Sequence, residues 1–104
     1  MATNSRYDGK PLLKLLELYV LKAIGELSQT EQDALEAMTP KLQAIYGGKG
    51  EWYEVIASAI HMPPEMPAVI QNTWANNVEI ARTKGLALTP QNFAEMFVDQ
   101  NFAA

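Results

Sequence analysis

One stretch near the start of the chain, residues 11–27, constrains the fold more than any other. At helical spacing, one arc of this stretch is apolar and consists of Leu12, Leu16, Tyr19, Val20, Ala23 and Leu27. Leu18 and Leu21 lie on the opposite side, so apolar residues surround nearly the whole helix. Such a helix is normally buried on nearly all sides. Either other helices of the same chain cover both sides, or the second side is an exposed interface.

The exposed alternative defines a candidate interface on this first helix. Its residues are Lys14, Leu18, Leu21, Lys22 and Gly25. Because glycine has no side chain, Gly25 would allow a second helix to approach closely. A two-fold pairing of identical chains is the commonest form of such an interface.

Four more helical segments follow, and no run shows the strict alternation of a half-buried strand. They cover residues 29–46, 51–61, 67–84 and 90 onward. The sequence therefore predicts an all-α fold, a compact bundle of about five helices that forms a single domain over residues 1–104. Residues 1–9 are expected to be a flexible arm. Since the connections are short, we expect consecutive helices to pack as neighbours.

Capping signals support these boundaries. Ser28 begins a capping box at the second segment, and Thr89 followed by Pro90 is typical of a helix start. Asp8 can cap the first helix, and Gly85 can end the fourth.

Pro40 lies inside the second segment and leaves two interpretations open. The apolar face keeps its phase across Pro40, which favours one helix with a kink on its solvent side. The alternative is two helices, with Thr39 capping the second.

The apolar faces of the five segments define the expected core. It comprises Leu12, Leu16, Val20, Ala23, Leu27, Leu35, Leu42, Ile45, Trp52, Ile56, Ile60, Ile70, Trp74, Phe93 and Phe97. Phe102 is expected to anchor the end of the chain against this core.

Residues that could carry chemistry are few, and each favours a plain structural role. The chain has no cysteine and a single histidine, His61, which we expect to face solvent near a helix C-terminus. The glycine-rich residues 47–50 lack the Walker spacing and are expected to form a turn. The carboxylates are scattered and are expected to form a solvated surface. We therefore predict no catalytic residues, no metal site and no cofactor.

Asn77 is the most informative polar residue of the fourth segment, because it falls within an apolar arc. A buried amide without partners costs roughly 1–3 kcal/mol. Asn77 is therefore expected to bond a neighbouring loop, to line a small pocket with Thr73 and Trp74, or to lie exposed.

Charge and composition limit the function classes. The formal net charge of −4 disfavours nucleic acid and anionic membrane surfaces as partners. No stretch resembles a secretory signal or a membrane span, so we expect a cytoplasmic protein. The favoured function is a non-enzymatic protein-interaction domain: a homodimer, an adaptor or a small acidic inhibitor of another protein. The alternative is a small-ligand-binding domain with its pocket near Trp74 and Asn77.

Overall fold

The computed structural model describes residues 11–102, which form five helices and no strand. The helices are α1 (Pro11–Ala23), α2 (Gln29–Tyr46), α3 (Trp52–Ala59), α4 (Met66–Thr83) and α5 (Pro90–Asn101). The predicted all-α bundle is therefore confirmed. The expected N-terminal arm and the Asp8 cap lie outside the described residues. Within the described part, no helix is both long enough and apolar enough to cross a bilayer.

Helix α1 is the centre of the bundle. Its residues 15–21 are all buried, and it packs against α5, α3 and α4. Leu18 and Leu21 are only 8% and 5% exposed. Of the two arrangements that the sequence allowed for this helix, the structure has the one in which the chain covers both sides.

Helix α2 runs through Pro40 without a break, so the one-helix interpretation is correct. At its start the Ser28 side chain accepts a hydrogen bond from the Glu31 amide at 3.1 Å. Only Leu35 and Leu42 are buried on this helix, because α3 is the one element against which it packs extensively. The prediction that Ile45 belongs to the core is wrong: this side chain is 63% exposed.

The rest of the predicted core lies inside or at the edge of the observed one. Leu12, Ala23, Leu27, Ile60 and Trp74 are half-buried and pack against it. Phe102 does the same, as expected. The observed core also contains buried residues that the prediction omitted, namely Leu15, Leu18, Tyr19, Leu21, Val55, Ala94 and Val98.

The expectation that consecutive helices pack as neighbours holds only in part. Of the consecutive pairs, only α2 and α3 pack extensively, whereas the main partner of α1 is the distant α5. Because α1 is apolar on all sides, the other helices must distribute around it. The need to bury α1 therefore determines which helices are in contact, more than the short length of the connections does.

Three helices end in the same hydrogen-bonded turn. In each, an amide bonds back to the carbonyl five residues earlier: Glu26 to Leu21, Met62 to Ala57 and Leu86 to Ala81, at 2.8, 2.9 and 2.8 Å. This is the Schellman pattern, whose penultimate residue has a positive φ and is usually glycine. That position holds Gly25 after α1 and Gly85 after α4, with φ of 76° and 70°.

Gly25 therefore has a different role from the expected one. It is exposed, and a Cβ atom built on it would meet no atom within 4 Å. No helix approaches it closely within the described chain. The physical reason for glycine here is the left-handed backbone that ends α1.

His61 occupies the same position after α3, with φ of 53°, and is exposed as expected. A side chain in this left-handed conformation costs roughly 1–2 kcal/mol. Replacement by glycine relieves that strain, although glycine also adds freedom to the unfolded chain.

We expect His61→Gly to raise the free energy of unfolding by about 0.5–1 kcal/mol. Chemical denaturation followed by circular dichroism measures it. His61→Ala is the control, because alanine removes the imidazole and keeps the strained backbone. Equal stability of the two variants would contradict the assignment of strain to this residue.

Candidate functional site

The candidate interface on α1 is not a continuous apolar surface. Leu18 and Leu21 lie beneath the chain's own helices, and only Lys14 and Gly25 of the five residues are exposed. Lys22 is half-buried and lies over the ring of Tyr53. The two apolar members of the candidate interface, Leu18 and Leu21, are therefore part of the core and are not exposed as a surface.

The candidate pocket residues on α4 make contacts of their own. Thr73 Oγ1 donates to the Val69 carbonyl, and Asn77 Nδ2 donates to the Thr73 carbonyl, both at 2.7 Å. The Trp74 ring packs on Phe93 of α5, with 5.2 Å between centroids. Asn77 is half-buried, and its amide bonds its own helix rather than a loop. The expected loop contact is thus wrong.

A concave surface lies one turn earlier on α4, where this helix meets α1 and α3. We call it the tyrosine cleft; its volume is about 220 Å³. Its lining residues are Tyr19, Lys22, Ala23, Tyr53, Pro67 and Gln71. Gln71 joins two of its walls, since Gln71 Nε2 donates to the Ala23 carbonyl at 3.0 Å. That bond also occupies a carbonyl at the end of α1, where the helix dipole is negative.

The tyrosine cleft combines aromatic walls with one positive charge. The Lys22 ammonium lies 4.6 Å from the centroid of the Tyr53 ring, a cation–π distance. Tyr53 in turn stands edge-on to the buried Trp52, with 5.7 Å between centroids. Burial raises the pKa of the Tyr19 hydroxyl, which as a phenol is already a hydrogen-bond donor at neutral pH.

The outer face of α4 is a second candidate surface. Of the 18 residues of this helix, only Ile70 is buried. Val69 and Ile80, on a different side from Ile70, are 43% and 53% exposed. We use the name outer face for the row Val69, Thr73, Asn76 and Ile80, which share one side of the helix.

Glu17 is a charged residue inside the core, where the sequence predicted a solvated carboxylate. It has no exposed surface, and its Oε1 atom accepts a hydrogen bond from Gln91 Nε2 at 3.2 Å. The same nitrogen donates to Glu95 Oε2. Gln91 therefore joins α1 to α5 through a buried carboxylate. The sequence did contain an indication that Glu17 is buried. It lies among leucines, which occupy positions 15, 16, 18 and 21.

The remaining polar motifs have structural roles. The glycine-rich residues 47–50 connect α2 to α3, and Gln43 Nε2 donates to the Gly50 carbonyl. At the start of α3 the Glu54 carboxylate accepts from the Glu51 amide at 2.7 Å, where a bound anion would otherwise lie. Among residues 11–102, no three histidine, aspartate or glutamate side chains are grouped as metal ligands.

We expect Glu17→Ala to lower the free energy of unfolding by about 2–4 kcal/mol, because it leaves a cavity and removes the link to α5. Glu17→Gln should cost less, since the amide oxygen can still accept from Gln91. The matched control is Glu95→Ala, which removes a more exposed acceptor of the same Gln91 group and should cost about 1 kcal/mol or less. Urea unfolding curves compare the three. An equal loss of unfolding free energy in the two alanine variants would show that the burial of Glu17 does not determine its contribution to stability.

Comparison with known proteins adds no relative. No family model matches the chain, and neither the curated proteins nor the solved structures contain a significant match.

Proposed function

We propose that the chain is a non-enzymatic protein-interaction domain that pairs with a second copy of itself through the outer face of α4. The observation that carries this proposal is the packing of α4: one buried residue in a helix of 18. By comparison, α1 buries seven of its 13 residues.

The low burial of α4 is significant because of how helices in proteins are stabilised. A helix in a protein gains most of its stability from packing an apolar face against its neighbours. Ile70 and the half-buried Trp74 hold one side of α4 against the bundle. Val69 and Ile80 remain in solvent on another side. A partner helix on that side would bury them and supply the missing packing.

The spacing of the outer face fits a helix pair. Its four residues are separated by four, three and four positions, which is the a/d spacing of a coiled-coil seam. The row is also self-complementary when two copies run antiparallel. Val69 of one copy then faces Ile80 of the other, and Thr73 faces Asn76. All four residues of the row are therefore paired in a single register.

Charge favours the antiparallel direction. Glu65 precedes α4 and Lys84 follows it, and both are exposed. An antiparallel pair brings the end that carries Lys84 to the end that carries Glu65 on the other copy, whereas a parallel pair brings like charges together. Antiparallel helix dipoles also attract. The seam has only two large apolar residues per copy, which points to a weak or moderate dimer.

The chemistry of the chain fits a reducing compartment. A protein without cysteine needs no oxidising environment for its fold, and we propose a cytoplasmic location on this ground.

We expect the unmodified chain to have a concentration-dependent mass that approaches twice 11.5 kDa in sedimentation equilibrium. Val69→Glu and Ile80→Glu should each weaken the dimer by about a hundredfold, because a charge would be buried at the seam. Both sites are exposed in the single chain, so folding should survive. Ile45→Glu, at an exposed aliphatic site on α2, is the matched control and should leave the dimer intact. A mass of one chain at all concentrations would contradict the proposal.

Cysteine cross-linking tests the register, because the natural chain has no thiol to interfere. We expect the double variant Val69→Cys with Ile80→Cys to form a disulfide-linked dimer on oxidation. Its two cysteines lie about 16 Å apart along one helix, too far for a bond within a chain. Val69→Cys alone should cross-link poorly. Efficient cross-linking of that single variant would show parallel pairing and refute the register.

A further inference from the structure

The tyrosine cleft differs from the outer face of α4 in both position and chemistry. It lies where three helices meet, and residues from each of them line it. Convergence of a few polar groups on an aromatic-walled concavity is typical of small-molecule sites. We propose that the tyrosine cleft binds a small aromatic carboxylate through the ammonium group of Lys22.

The sign of the charge selects an anion. Lys22 is the only charged residue among the six that line the cleft. Its ammonium lies over the Tyr53 ring and the residue is half-buried, so the side chain loses less freedom on binding than that of a fully exposed lysine. A cationic ligand would compete with Lys22 for the same aromatic ring and be repelled. Anions are therefore favoured over amines.

The walls select a planar apolar body. Two aromatic residues, Tyr19 and Tyr53, and the ring of Pro67 are among the residues that line the cleft. Aromatic rings pack edge-on or offset against such surfaces, with a gain beyond simple burial. The volume of about 220 Å³ is below the usual range for drug-sized ligands. The cleft therefore fits a single ring that carries one carboxylate.

The polar groups complete the match. The Tyr19 hydroxyl is a phenol, which is protonated at neutral pH and can donate a hydrogen bond. Tyr53 contributes a second phenol to the lining. Together with the Lys22 ammonium, these phenols can donate hydrogen bonds to a carboxylate, which only accepts them.

Titration with benzoate, followed by amide chemical shifts in NMR, tests this inference. We expect saturable shifts that are largest at Lys22, Tyr53 and Gln71. Benzyl alcohol, which has the ring without the charge, should bind at least about tenfold more weakly, as should acetate, which has the charge without the ring. Benzylamine should bind least. Equal shifts with benzoate and benzylamine, or none at the cleft with millimolar benzoate, would overturn the inference.

Variants assign the binding to Lys22. Lys22→Met keeps the aliphatic stem over Tyr53 and removes the charge, and we expect benzoate affinity to fall by about tenfold or more. Lys41→Met on α2 is the matched control: an exposed lysine outside the cleft, whose loss should leave affinity unchanged. Tyr53→Phe keeps the ring and should reduce affinity less than Lys22→Met. Unfolding curves of each variant verify that the bundle persists. Unchanged benzoate affinity in a folded Lys22→Met variant would refute the role of this lysine.

Discussion

Burial of α1 on every side is the constraint that organises this fold. Seven consecutive residues of this helix are buried, which requires neighbours around its whole circumference. Helices α3, α4 and α5 supply them, and α2 joins the bundle through α3. Each outer helix can offer only one side to a central cylinder about 10 Å wide. The other sides of α2 and α4 are therefore left to solvent, which explains why exposed aliphatic side chains such as Ile45 and Ile80 occur there.

The same central position makes Glu17 an exception within the core. A carboxylate without exposed surface is costly unless partners replace its water. Gln91 supplies one such hydrogen bond from α5, the main packing partner of α1. A hydrogen bond depends on the distance and angle between donor and acceptor, whereas the surrounding leucine contacts are not directional. The Glu17–Gln91 hydrogen bond therefore favours one position of α5 along α1, which apolar packing does less selectively.

Much of the fold could be predicted from the sequence because the decisive signals are local. Helix ends at Ser28, Thr89 and Gly85 follow from capping chemistry, and phase continuity across Pro40 identified one helix. The sites could not be predicted in this way. Whether Leu18 is surface or core depends on which helices surround α1, and the tyrosine cleft exists only because residues 19, 53 and 71 meet in space. Helical periodicity identifies the apolar face of one helix but does not predict which other helix packs on that face. The error at Ile45 has the same origin, since its face is apolar but α3 covers only the stripe with Leu35 and Leu42.

Helix α4 belongs to both proposed surfaces, which links them physically. Gln71 and Pro67 form one wall of the tyrosine cleft, while Val69 and Ile80 lie on the outer face. A helix that buries only Ile70 is held to the bundle by few contacts, and elements with little burial open most easily. Packing a second helix on the outer face would restrict α4 and, with it, the position of Gln71 against Ala23. A ligand in the cleft would restrict the same helix from the other side. Since binding free energies are reciprocal, any gain that pairing gives to the cleft must equal the gain that the ligand gives to pairing. The sparse packing of α4 is thus the physical reason why an interface and a binding site on this small bundle would act on each other.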